Sequence, residues 1–274
     1  MSIDIVKLAD LLRDVAAAEI LPRFRRLDAG MVRQKTEAID LVTEADEEAE
    51  RVITAAIGQM WPEALVVGEE AVSADPSLLE RSVGADVAIY LDPVDGTSNF
   101  AAGVPLFAVM AGVVVGGETV AGIIYDPMGD DWVLAEKGSG AFQRRPDGST
   151  VRQTFAAAVP LDQMAGTASP YYLPEAQRPV VLNNLAKVRV SSSFRCAGHE
   201  YRMAAGGHLQ YCFFNKLMPW DHVPGALICA EAGAHVARLD GAPYRAEHRG
   251  GGLLVAADPD SWATLRREVF TVEG

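Results

Sequence analysis

Two aspartates in the run LDPVDGTSNF, Asp92 and Asp95, stand three residues apart at the end of an apolar stretch from Val87 to Leu91, and Gly96 and Thr97 follow at once. The apolar stretch reads as a buried strand, Pro93 as the residue that ends its pairing, and Gly96-Thr97 as the opening of a short helix or turn. Carboxylates at a strand end hold hard cations. Backbone N–H groups at a glycine turn, where a ligand approaches the main chain closely, hold an anion. The combination points to metal-dependent phosphate chemistry.

Further acidic residues sit in the same kind of setting, flanked by apolar residues or glycine instead of mixed charge: Asp46, the Glu69-Glu70 pair in VVGEE, and Asp221 in PWDH. Each has a plainer reading alone. Asp46 serves a helix start, Glu69-Glu70 a solvated turn, Asp221 a helix start beside Trp220, and Asp92 and Asp95 a turn with Pro93. Converging without lysine partners, they would repel one another, and divalent cations relieve that repulsion. Oxygen-only donors suit Mg²⁺ or Mn²⁺ better than zinc.

The elements that would carry these residues divide into two halves. Ile5, Leu8, Leu11, Leu12, Val15 and Ala18 follow helical spacing to about Phe24, and a second helix runs from a Thr43 cap to about Met60. Strands are expected at Ala64–Gly68, Val87–Leu91, Phe107–Val115, Thr119–Tyr125 and Trp132–Glu136, in succession and so antiparallel, which makes residues 1–150 an α+β half. The polar stretch RRPDGST, Arg144 to Thr150, is the best boundary. Beyond it, residues 151–274 alternate: strands at Lys187–Ser191, Leu209–Phe214, Ala234–Leu239 and Leu253–Ala257, helices at Glu200–Ala205, Asp221–Ala232 and Pro259–Val269. That is an α/β half, and the length suits one catalytic domain built of both.

Composition narrows the partners. Acidic residues number 37 against 24 basic ones, for a net charge of −13, and no basic stripe is present, so nucleic acid is excluded as a main partner. An anionic substrate would need bound metal to reverse the local field. The uncharged run from Phe100 to Gly117 approaches a membrane span in length, but its glycines, proline and valine run read as a buried strand after a turn. Cys196, Cys212 and Cys229 lack any CxxC spacing and read as buried thiols in a reducing cytoplasm.

The chain resembles the inositol monophosphatase family of Mg²⁺-dependent, lithium-sensitive phosphatases along nearly its whole length. The resemblance rests on Lys35 with DLVTEAD (Asp40 to Asp46), GEE (Gly68 to Glu70), DPVDGTSNF (Asp92 to Phe100), RCAG (Arg195 to Gly198), WDHVPG (Trp220 to Gly225) and the EAGA that follows. It implies a layered αβαβα sandwich of the sugar-phosphatase type, a cytoplasmic homodimer, two or three Mg²⁺ ions and a small phosphorylated metabolite as substrate. It also implies roles. Glu69, Asp92 and the Val94 carbonyl hold a first ion; Asp92, Asp95 and Asp221 hold a second. Glu69 assists a third, with Glu70 in support. Asp95, Gly96 and Thr97 seat the phosphate. Thr97, hydrogen-bonded to Asp46, works with Glu69 to activate a water that attacks phosphorus directly, with no phospho-enzyme.

Departures from the family pattern fall where the leaving group is read. Relatives acting on inositol phosphate often carry an acidic residue six positions before the tryptophan of WD, and here that position is Phe214. The helix after Gly198 is about one turn short, because Gly206-Gly207 arrives early. Phenylalanine cannot pair a hydroxyl, which puts inositol as the physiological substrate in question and leaves histidinol phosphate, fructose 1,6-bisphosphate and nucleotide 3′-phosphates as alternatives. Gly198 and His199 are expected to line the leaving-group pocket, with Ser169 and Tyr171 reaching it from a loop. His222 reads as a satisfied structural histidine. A haloacid-dehalogenase-like reading of DPVDGT fails on spacing, because its aspartates would be two residues apart. A partner-binding protein that kept the fold without catalysis is opposed by the intact Glu69, Asp92, Asp95, Thr97 and Asp221.

Overall fold

The computed structural model describes residues 3–27, 32–34 and 41–271. Lys35 and Asp40 of the first motif lie outside the described residues. The strands are β1 (Val32–Gln34), β2 (Leu41–Thr43), β3 (Leu65–Gly68), β4 (Val87–Asp95), β5 (Ala108–Val115), β6 (Glu118–Asp126), β7 (Asp131–Glu136), β8 (Gly140–Arg144), β9 (Thr150–Arg152), β10 (Ala165–Ala168), β11 (Val190–Ser192), β12 (Tyr211–Phe214), β13 (His235–Arg238) and β14 (Leu253–Ala256). The helices are α1 (Ile5–Val15), α2 (Glu44–Met60), α3 (Glu69–Ala74), α4 (Ser77–Val83), α5 (Thr97–Ala101), α6 (Arg178–Asn184), α7 (Ala197–Ala205), α8 (Pro219–Glu231) and α9 (Pro259–Glu268).

A seven-stranded sheet runs β3-β4-β5-β6-β7-β8-β9, antiparallel except for the parallel β3–β4 pair. A five-stranded sheet runs β11-β10-β12-β14-β13; its β10 pairs are parallel and its β14 pairs antiparallel. Strand alternation builds the layers. On β5, Val109, Ala111 and Val113 face the buried sides of α1 and α2, while Ala108 and Met110 face α7 and α8. On β12, Cys212 and Phe214 face that same inner helical layer, and Tyr211 and Phe213 face outward onto α6, α9 and Phe270. The order is helix, sheet, helix, sheet, helix, the αβαβα sandwich.

The sequence reading departs from this in places with physical causes. RRPDGST is the hairpin turn joining β8 to β9, so the first sheet extends to Arg152. Lys187 closes a 3₁₀ turn and the strand starts at Val190. The small-residue strand β10 and the short helices α3, α4 and α6 lack the apolar periodicity that signals an element. The uncharged run holds the end of α5, a turn and the buried strand β5, and among the described residues no helix is long and apolar enough to cross a membrane.

One contact brings the layers close enough to make a site. Gly112 and Gly122 pair directly across β5 and β6, leaving a notch without side chains. Val223 and Pro224 of α8 fill it: a Cβ on Gly112 would lie 2.5 Å from Val223 Cγ1, and one on Gly122 would lie 2.5 Å from the Pro224 carbonyl oxygen. The notch thus sets the height of α8, and of Asp221, above the sheet. Gly122→Ala is expected to destabilise the fold by about 1–3 kcal/mol through overpacking. Gly58→Ala, on the exposed side of α2 with nothing within 4 Å, is expected to stabilise it by up to ~1 kcal/mol. Urea denaturation of the two variants checks both signs.

Candidate functional site

Pro93 does not end strand pairing, as the sequence suggested; β4 continues through it to Asp95. The continuation is irregular. Asp92 pairs with Met110 and Asp95 with Ala108, so two β4 residues stand against one on β5 between these pairs. In a regular strand, side chains three residues apart point to opposite faces; the extra residue of this bulge reverses that parity. Asp92 and Asp95 therefore face the same side. The Val94 N–H donates to Asp92 Oδ1 at 2.9 Å. Gly96 then turns the chain with φ 88°, and a Cβ there would meet the Leu106 carbonyl oxygen at 2.9 Å.

Asp221, in the first turn of α8, completes a cluster with these two. One oxygen from each of Asp92, Asp95 and Asp221 lies within 4.8 Å of the others. Burial, then the charges of Glu69, Asp95 and Asp221, push the Asp92 carboxyl well above its ordinary range. Burial, Asp95 and Glu69 do the same to Asp221, against the opposing effects of a hydrogen bond with Asp92 and the charge of Lys216. Asp95 is raised by burial despite the donors that favour its ionised form: the Cys196 thiol at 3.0 Å and the Gly198 N–H at 2.6 Å, both on Oδ2. A crowded, desolvated, all-oxygen donor set of this kind fits a hard divalent cation.

Glu69 reaches the cluster from the start of α3. That helix is anchored by Glu50, a buried carboxylate on α2 that sequence reasoning missed; it accepts the Glu70 N–H at 2.8 Å and the Ala71 N–H at 2.7 Å. Only glycine fits at position 68, where a Cβ would lie 2.2 Å from the Glu50 carboxyl carbon. The signal for Glu50 was its place one helical turn after Asp46 on the same face of α2.

Thr97 opens α5 on the other side of the cluster. Its hydroxyl lies 3.1 Å from Asp46 Oδ1 and 3.0 Å from the Val94 carbonyl, both acceptors. Asp46 caps α2 as well, accepting the Thr43 N–H at 2.9 Å and the Thr43 hydroxyl. The plain reading and the functional one thus coexist in one side chain.

A cavity of about 810 Å³ opens over these groups, and Glu69, Asp92, Asp95, Gly96, Thr97 and Asp221 line it. Ser169, Tyr171 and Phe214 line it too, as do Arg195, Asn215 and Lys216, which sequence reasoning did not single out. Phe214 is packed on Tyr201 and His222, with ring centroids 4.8 Å apart in both cases. Two expected wall residues are elsewhere. The Gly198 N–H is spent on Asp95, and a Cβ there would crowd Ala108 at 2.8 Å. His199 points behind α7, its Nε2 3.2 Å from the Phe107 carbonyl, because the helix turns that position toward β5 and β6. His222 is structural: Nε2 donates to the Lys216 carbonyl at 2.8 Å, Nδ1 accepts from Tyr201 at 2.9 Å, and burial pulls it down to about 4.

Residues 5–269 match the model of the inositol monophosphatase family. The chain belongs to that family. By class it is a phosphoric monoester hydrolase. An inositol-1-monophosphatase of Mycobacterium leprae is 34% identical over 84% of this chain and 78% of its own length. The Nus factor SuhB of Vibrio cholerae is 30% identical over 80% and 79%. The crystal structure of the extragenic suppressor protein suhB from Bartonella henselae superposes with a TM-score of 0.80 at 25% identity, covering 97% of this chain and 98% of that one.

The clustered aspartates bind protons more tightly folded than unfolded, so in cation-free protein their stabilising contribution is present below the ordinary aspartate value of 3.8 and is lost as pH rises through their elevated folded values. His222 works in the opposite sense between about 4 and 6.5. The expected result is a difference measurement: Asp221→Asn melts higher than the parent in EDTA at neutral pH, by an amount that shrinks toward about pH 4, and no longer gains from added Mg²⁺ as the parent does. Thermal melts across pH with and without Mg²⁺ check it.

Proposed function

We propose that this chain hydrolyses a small phosphate monoester in a Mg²⁺-dependent reaction, with a polyol or sugar phosphate such as inositol 1-phosphate as the leaving-group class. The observation that carries the reading is the meeting of Asp92, Asp95 and Asp221 beside Gly96 and Thr97 on one cavity wall. Asp92, Asp95 and Asp221, with Glu69 and the Val94 carbonyl, would hold two or three Mg²⁺ ions; Mn²⁺ suits the same donors. When bound, the ions neutralise phosphate charge, lower the pKa of water and stabilise the departing alkoxide.

The chain's own residues do the rest. Gly96, in its left-handed conformation, and Thr97 present backbone N–H groups to the phosphoryl oxygens. Asp46 takes the Thr97 hydroxyl proton as a hydrogen bond, which leaves an oxygen lone pair to orient the attacking water. The reaction is then mostly positioning and charge neutralisation, as phosphoryl transfer generally is. In the cavity Phe214 offers an apolar wall where a carboxylate would read a polyol hydroxyl, so discrimination among leaving groups is weak there. Ser169 and Tyr171 contact the leaving group on this reading. Both halves of the chain supply ligands and act as one catalytic domain, as a homodimer inhibited by lithium, in a reducing cytoplasm that keeps the three buried thiols free.

A non-catalytic reading has one observation in its favour, the relative in Vibrio cholerae named as a Nus factor. The complete carboxylate set weighs against it.

Phosphate release from inositol 1-phosphate, histidinol phosphate, fructose 1,6-bisphosphate and adenosine 3′,5′-bisphosphate is the test. Turnover should require Mg²⁺, disappear in EDTA and fall with Li⁺, and Asp95→Asn should lower it by about two to three orders of magnitude. Near-parental turnover in that variant defeats the assignment; no Mg²⁺-stimulated release from any ester favours the partner-binding reading.

A further inference from the structure

Phe194 is gripped from both sides. Its N–H donates to Glu200 Oε1 at 2.8 Å. Its carbonyl accepts from Asn99 Nδ2 at 2.7 Å, and the same amide reaches the Leu106 carbonyl at 2.9 Å. Asn99 lies in α5 just after Thr97, and Glu200 lies in α7 just after Gly198, so the Phe194 backbone ties the phosphate end of the cavity to the helix that supports Asp95. Immediately after the grip, Arg195 has φ 53°, a left-handed backbone that a non-glycine residue holds only when its surroundings fix it. That turn delivers the Cys196 thiol and the Gly198 N–H to the same oxygen of Asp95.

We propose that Glu200 is a positioning residue for Asp95: by accepting the Phe194 N–H it holds Arg195 in the left-handed conformation and so places the donors that aim the Asp95 carboxylate into the cavity. The proposal rests on Asp95 being a working carboxylate of the site.

Glu200 is a costly way to make one hydrogen bond. It is 1% exposed. Burial pushes its carboxyl up to about 7 even though the Phe194 N–H favours ionisation, while the Thr167 hydroxyl lies nearby without an aligned bond to it. Its second oxygen has no hydrogen-bond partner, and neither has the Thr167 hydroxyl. A buried carboxyl with one oxygen unpaired does not stabilise a fold on balance. Its one bond is to the segment that bends toward Asp95. What that bond needs is an acceptor at Oε1, not a charge. Glutamine keeps the acceptor and offers the orphaned Thr167 oxygen a donor; alanine leaves the Phe194 N–H unsatisfied.

The test uses the full chain as wild type, Glu200→Gln, Glu200→Ala and the double variant Glu200→Ala/Arg195→Gly, in which glycine adopts the left-handed turn unaided. Mn²⁺ affinity is read by calorimetry without substrate, and kcat and KM from Mg²⁺-dependent phosphate release. Melting curves confirm that each variant is folded at the assay temperature. Glu200→Ala should lose roughly tenfold in Mn²⁺ affinity and in kcat, Glu200→Gln should stay within about threefold of wild type, and Arg195→Gly should restore most of the lost Mn²⁺ affinity, the readout on which its recovery is judged. Glu200→Ala indistinguishable from wild type, Glu200→Gln as impaired as Glu200→Ala, or no recovery in the double variant would each overturn the proposal. If Glu200→Ala does not fold, wild-type-like Mn²⁺ affinity in Glu200→Gln supports the acceptor role and a tenfold loss there overturns it. Wild-type protein that binds Mn²⁺ and releases no phosphate would sink the hydrolase reading alone, leaving the Mn²⁺ comparison to decide the positioning role.

Discussion

Three aspartates from two distant segments bring one carboxylate oxygen each within 4.8 Å of the others, Asp92 and Asp95 buried and Asp221 half-buried on the cavity wall. Left alone, such a cluster opposes the fold: each carboxyl raises its neighbours' affinity for protons, and burial adds to the effect. The rest of the structure is arranged around that unfavourable charge density, which becomes favourable once divalent cations bind. On the proposed reading, a protein of net charge −13 would gather an anionic substrate in this way, through a local positive centre its side chains do not supply.

Backbone geometry does most of the gathering. The β4 bulge turns Asp92 and Asp95 to one face, the Gly112–Gly122 notch lets α8 descend until Asp221 meets them, and Glu50 fixes the start of α3 where Glu69 stands. Each device removes a side chain or adds a residue where regular structure would hold the carboxylates apart. The contacts that hold Asp95 come from the first turn of α7 and from Cys196 at its start, set by a left-handed residue, Arg195, just before it. Phe214, by contrast, belongs to the aromatic packing of the inner helical layer, which makes the cavity wall apolar there.

Much of this was legible in the sequence. Long elements with strong periodicity, α2 and β5 to β7, stood near their expected bounds, while the first helix changes after Val15 to a π-helical and then a 3₁₀ turn ending at Arg23; the clustered carboxylates announced themselves by their apolar and glycine neighbours. What could not be read was whatever depends on a single residue of register. Pro93 reads locally as a strand stop, and only the pairing with β5 shows that the strand passes through it with a bulge. His199 follows a motif glycine, yet helical rotation turns it behind α7, while Glu200, next in line, lies against the cavity. Asn99 acts through a backbone group distant in sequence, and no local pattern marks such a pairing; Glu50 shares the Asp46 face of α2, but nothing local shows that it holds the start of α3.

The central claim, that these buried acidic side chains exist to share cations, is tested most directly by anomalous diffraction from crystals soaked in Mn²⁺. Peaks should lie between the carboxylates of Asp92, Asp95 and Asp221 and beside Glu69, within direct ligand distance of about 2.0–2.6 Å. An empty cluster at saturating Mn²⁺, or peaks confined to surface carboxylates, would contradict the account.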